Sequence, residues 1–106
     1  MSLPIFSNEA FVNWLEAQPP NKTYRYVDHN NCAIAQYLKA QGFTGIEIGS
    51  QDMEYRDASG RLYREYLPQG WNAAVSPTHS IRTGTGVFTS SFGDTARQAR
   101  YVLGVR

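Results

Sequence analysis

The chain has 106 residues, 42% hydrophobic and 18% charged, with ten basic against nine acidic residues and a formal net charge of +1. This is the composition of one modest globular core, 1–106, not of a disordered tail, and the absence of a basic stripe argues against nucleic-acid binding. No apolar run approaches the ~20 residues of a membrane span. The stretch Met1–Phe6 lacks the charged and long apolar regions of a signal peptide, so a cytoplasmic protein is expected.

Ser7 suits the N-cap of a first helix at about 8–18, with Phe6 and Phe11 placed for a hydrophobic staple and Phe11, Trp14 and Leu15 forming an apolar stripe. Pro19-Pro20 ends it, and Thr23–Val27 reads as a short strand. A second helix is expected at about 31–41, with Asp28, Asn30 and Asn31 competing to cap it. At its other end Gly42 fits a left-handed C′ position, and Phe43 can close onto Leu38 in a Schellman motif. Residues 45–49 then read as a strand with Ile46 and Ile48 on one face.

The strongest local signal is a hairpin over 52–67. Asp57-Ala58-Ser59-Gly60 fits a type I turn followed by a left-handed glycine. That bulged register opposes Asp57 to Arg61, Glu54 to Arg64 and Tyr55 to Tyr63. A symmetric four-residue loop would set Arg56 against Arg61 and Asp52 against Glu65, so cross-strand pairing favours the bulge. Both faces mix charge with aromatic rings, which predicts a substantially exposed hairpin. Residues 71–75 read as a further strand, and 78–90, rich in Thr, Ser and Gly, as a loop or irregular hairpin. Ser91 and Asp94 resemble a capping box opening a third helix at about 92–103, with Phe92, Ala96, Ala99 and Leu103 on one face. The expected class is α+β: three helices packed on a small, mainly antiparallel sheet with an exposed hairpin.

Two sets of residues bear on function. Tyr55, Tyr63 and Tyr66 alternate along the hairpin with Arg56, Arg61 and Arg64, and Tyr and Arg are the side chains enriched at interface hot spots. They predict a protein–protein binding surface, and an open hairpin edge could also join two copies of the chain. The second set is Cys32, the single cysteine, at the start of the second helix, where a thiolate can be stabilised. It faces away from Ile34, Tyr37 and Leu38. A nucleophile needs a base, and His79 is the histidine distant enough to come from another element. Thr83–Gly86 lacks the setting of a phosphate loop, and Asp28 with His29 lacks a second ligand pair. No metal or cofactor is expected.

A cysteine opening a helix with a histidine downstream resembles papain-like thiol hydrolases, the NlpC/P60 group among them, although the Asp-Cys-Ser-Gly and Asp-Gly-x-Cys signatures are absent. That likeness implies hydrolase or transferase chemistry on Cys32 and His79. The run Asp28-x-x-Asn31-Cys32-Ala33-x-Ala35-Gln36-Tyr37-Leu38, with Trp71-Asn72 and Ser91-Phe92-Gly93, resembles small uncharacterised proteins of bacteriophages and prophages. It implies a non-enzymatic accessory protein that binds a host or phage protein, with inhibition of a host factor as one outcome.

Overall fold

The computed structural model describes residues 4–26, 28–76 and 89–105. After a 3-10 turn at Pro4–Phe6, helix α1 runs Asn8–Ala17, and the Ser7 hydroxyl accepts the Ala10 N–H at 3.1 Å. The cap satisfies one of the N–H groups that a helix start leaves without partners. Phe11 and Leu15 are buried and Trp14 half-buried, as the stripe predicts, and Val12 joins them in the core. Strand β1, Thr23–Arg25, follows.

Helix α2 is Ala33–Ala40, and its start corrects the sequence reading. None of Asp28, Asn30 or Asn31 caps it. Cys32 occupies the N-cap position and makes no side-chain cap hydrogen bond. The Asp28 carbonyl instead turns the chain by accepting the N–H groups of Asn31 and Cys32 at 3.1 and 2.9 Å. The C-terminus follows expectation. Phe43 N–H donates to the Leu38 carbonyl at 3.2 Å, Gly42 N–H donates to that of Lys39 at 3.0 Å, and Gly42 has φ +95°. Those two bonds define the Schellman motif.

Strands β2 (Thr44–Ile48), β3 (Asp52–Arg56) and β4 (Leu62–Tyr66) form an antiparallel sheet in the order β2-β3-β4. Residues 71–75, expected as a strand, form a short helix, α3, Trp71–Val75. Its buried residues are Trp71, Ala74 and Val75, the i, i+3, i+4 spacing of a helix. Over five residues that spacing is too short to be told from a strand by sequence. Gly70, at φ +86°, turns the chain into it. Strand β5, Thr89–Ser91, pairs antiparallel with β1, and helix α4 follows as Phe92–Val102. The Ser91 hydroxyl caps α4 by accepting the Asp94 N–H at 3.2 Å. The architecture is α+β, with four helices rather than three and two small antiparallel sheets among the described residues.

The helices meet around Trp71. Its indole stacks on Phe11 with centroids 4.2 Å apart, meets Tyr37 edge-on, and donates from Nε1 to Asn8 Oδ1 at 2.8 Å. Burying an indole requires such a partner for its N–H. The inner face of the three-stranded sheet contributes Ile46, Ile48, Met53 and Tyr55 to the same core.

Candidate functional site

The β3–β4 hairpin carries the residues singled out for binding, and its turn builds it as the sequence predicts. Asp57 Oδ1 accepts the N–H of Ser59 at 2.9 Å and of Arg61 at 3.1 Å, Asp57 N–H donates to the Arg61 carbonyl, and Gly60 has φ +88°. Donation by the Ser59 hydroxyl, above all, holds the Asp57 carboxyl below its ordinary value. The resulting register opposes Glu54 to Arg64 and Tyr55 to Tyr63.

A strand has two faces, and they divide the expected binding set. Tyr55 lies on the inner one, 1% exposed, stacked on Tyr63 at 5.2 Å and edge-on to Phe43 at 4.8 Å. Its hydroxyl donates to Glu65, and burial pushes its phenol well above the ordinary value. Tyr55 is therefore a core residue and cannot contact a partner, a correction to its place in the binding set. Tyr63 is half-buried beside it, with its hydroxyl on Asp57 Oδ2 at 3.0 Å and the Arg61 guanidinium 5.3 Å over its ring. Arg56, Arg64 and Tyr66 occupy the outer face, where Arg56 Nη1 donates to the Gly60 carbonyl at 2.9 Å. Leu62 shares that face at 38% exposure, and Tyr66 is 83% exposed. Leu62 is absent from the set that the Tyr/Arg pattern selects; its period-two spacing from Arg64 and Tyr66 is the sequence signal that puts it on their face.

The backbone of β4 adds a second property. The hairpin's hydrogen bonds reach Arg61 at one end and Leu67 at the other, with Leu67 N–H on the Gln51 carbonyl at 2.8 Å. Bonded and non-bonded pairs alternate in an antiparallel ladder, so Tyr63 and Glu65 face β3 and the amides of Leu62, Arg64 and Tyr66 point away from it. No described strand lies on that side. The opposite edge is different: Ile48 of β2 donates its N–H to the His29 carbonyl at 2.8 Å and accepts from His29 Nδ1 at 2.9 Å. A carbonyl only accepts, so Nδ1 carries a proton.

Cys32 is 3% exposed and lines a cavity of about 270 Å³ with Tyr26, His29, Ile34, Ile48 and Asn72 among its walls. Burial pushes the thiol above its ordinary value, outweighing the Ala35 and Ile34 amides that pull the other way. A helix start thus fails to activate this cysteine, since desolvating a thiolate costs more than the amides return. His79, its proposed base, lies outside the described residues, as do Thr83–Gly86 and most of the 78–90 loop. Among the described residues no group of three or more His, Cys, Asp or Glu side chains is placed to hold a metal ion, and no helix is long and apolar enough to cross a membrane. Comparison of the chain with protein-family models, curated proteins and solved structures gives no match.

Proposed function

We propose that this chain is a non-enzymatic, cytoplasmic binding module that takes an extended segment of another protein as a fourth strand beside β4. The observation that carries this reading is the coincidence on β4 of outward amides and outward side chains: Leu62, Arg64 and Tyr66 offer both. Strand addition draws affinity from the main chain and selectivity from alternate side chains. Taken with the likeness of the Asn31–Leu38 run to phage and prophage proteins, the partner is a host or phage protein, and blocking a host factor is the consequence. Nucleic acid and membrane are not partners in this reading.

The rival is a Cys32/His79 hydrolase or transferase. The raised thiol works against it, because the thiolate is the nucleophile.

A display library of random seven-residue peptides, selected on the folded chain, tests the binding role. Arg64→Ala removes only the side chain, whereas Arg64→Pro also removes an outward N–H, a change that edge strands tolerate. Selected peptides are expected to lose most of their affinity for the proline variant beyond any loss to the alanine variant, with both variants folded by circular dichroism. Equal binding to wild type and to Arg64→Pro would overturn strand addition.

A further inference from the structure

The geometry points to a specific partner chemistry at this edge: a strand of the form apolar–x–acidic–x–apolar, its central Asp or Glu bound by Arg64. This rests on the strand-addition reading above and goes beyond it by naming the sequence recognised.

On the outer face β4 presents Leu62, Arg64 and Tyr66 at alternate positions, a cation between two exposed apolar groups. An added strand would set one side chain opposite each, and opposite charges or two apolar groups facing across a ladder are mutually stabilising. The β4 pattern is the same read in either direction, so parallel and antiparallel partners need the same three residues. Arg64 also has capacity left. Its Nε lies 2.7 Å from Glu54 Oε1, while its two terminal nitrogens make no hydrogen bond among the described residues. Those nitrogens form the fork that takes a carboxylate. Most of the side chain is in solvent, at 76% exposure, so it can swing toward a neighbouring strand without breaking a packed contact.

The same geometry disfavours a second copy of the chain as occupant. Two β4 strands paired antiparallel with full overlap place Arg64 directly opposite Arg64, a like-charge pair that opposes association. Along the outer face, moreover, Glu47 lies opposite Glu54, with Asp52 on the same face of β3. A cationic central residue would find those acids only across β4, whereas an anionic one meets Arg64 at the edge itself. The edge therefore selects for charge as well as for extension.

The test uses three synthetic seven-residue peptides, apolar at the second and sixth positions with Glu, Gln or Lys at the fourth. They are titrated into the ¹⁵N-labelled full-length chain and into its Arg64→Glu variant, with folding of the variant checked by circular dichroism. The expected result is that the Glu peptide shifts the amide signals of residues 62–66 and binds roughly tenfold more tightly than the Lys peptide, with Gln between. In Arg64→Glu the order reverses, because the edge charge has changed sign. Equal affinities for all three peptides, with shifts at 62–66, would overturn the acidic preference and leave strand addition standing. Shifts confined to other residues, or none with any peptide at millimolar concentration, would overturn strand addition as well.

Discussion

Cys32 illustrates how one side chain's environment outweighs its address. At the N-cap of α2 it stands where a thiolate gains from backbone N–H groups, yet 97 parts in a hundred of its surface are covered, its exposure being 3%. Desolvation of the charged form dominates, and the thiol stays protonated at neutral pH. Iodoacetamide should therefore alkylate the folded protein at pH 7.5 at least about tenfold more slowly than the chain unfolded in guanidinium, where a free thiol titrates near 8.5. Fast labelling of the folded state would revive the enzymatic reading. On a helical wheel Cys32 lies away from the main apolar stripe of Ile34, Tyr37 and Leu38, a position that by itself implies access. Ala33 and Ala35, both fully buried, show that α2 is covered on more than one side. A wheel drawn for one helix contains no information about a second layer.

Elements whose geometry is decided by near neighbours were legible. The Ser7 and Ser91 caps, the Schellman end of α2 and the bulged hairpin each depend on residues within about five positions, and each formed as its local chemistry predicts. α3 did not follow this rule. Its five residues are held by Gly70 at φ +86° and by burial of Trp71 beneath α1, so a strand-like composition became a helix. Gly70 and Gly60 have nearly equal positive φ values, +86° and +88°, but different surroundings. A Cβ at Gly60 meets nothing within 4 Å, whereas one at Gly70 would lie 2.9 Å from Leu103 Cδ2. Gly60→Ala should cost about 1–2 kcal/mol from backbone strain alone, and Gly70→Ala about 1 kcal/mol more from overpacking at the α3–α4 junction. Urea melts of the two variants measure the difference. Equal midpoints would show that Leu103 yields freely.

For the molecule as a whole, Tyr24 joins distant parts of the chain. Its hydroxyl donates to the Val75 carbonyl at 2.5 Å and lies 2.6 Å from Thr95 Oγ1, which links β1 to α3 and α4. Burial pushes the phenol up to about 12. Because the folded value lies above the unfolded one, near 10, the neutral form is the one favoured by folding. Its contribution is complete below pH 10 and is lost as pH rises from about 10 to 12, by roughly 2–3 kcal/mol at most. Tyr24→Phe should be about 1–3 kcal/mol less stable at pH 7, since the Val75 carbonyl and Thr95 lose their partner. It should also lose less stability than wild type between pH 10 and 12, although Tyr37 and Tyr55 are raised too and act in the same direction. Parallel alkaline curves for the two proteins would overturn this role for Tyr24.

The sequence alone determined the class, the Ser7 and Ser91 caps, the turns at Gly42 and Gly60 and the pairing of Glu54 with Arg64, because each is set by propensity and short-range hydrogen bonding. Only the tertiary structure decided which side of the hairpin is covered. Tyr55 and Tyr66 look alike in a run where both faces mix charge and aromatic groups, and packing by Phe6 and Phe43 draws Tyr55 inward and leaves Tyr66 outside. The pairing of β1 with β5, across more than sixty residues of sequence (Thr23 with Ser91), belongs to the same class of facts, as does the burial of Cys32. Such contacts join segments with no local correlation, and their energy comes from apolar surface covered by residues far along the chain.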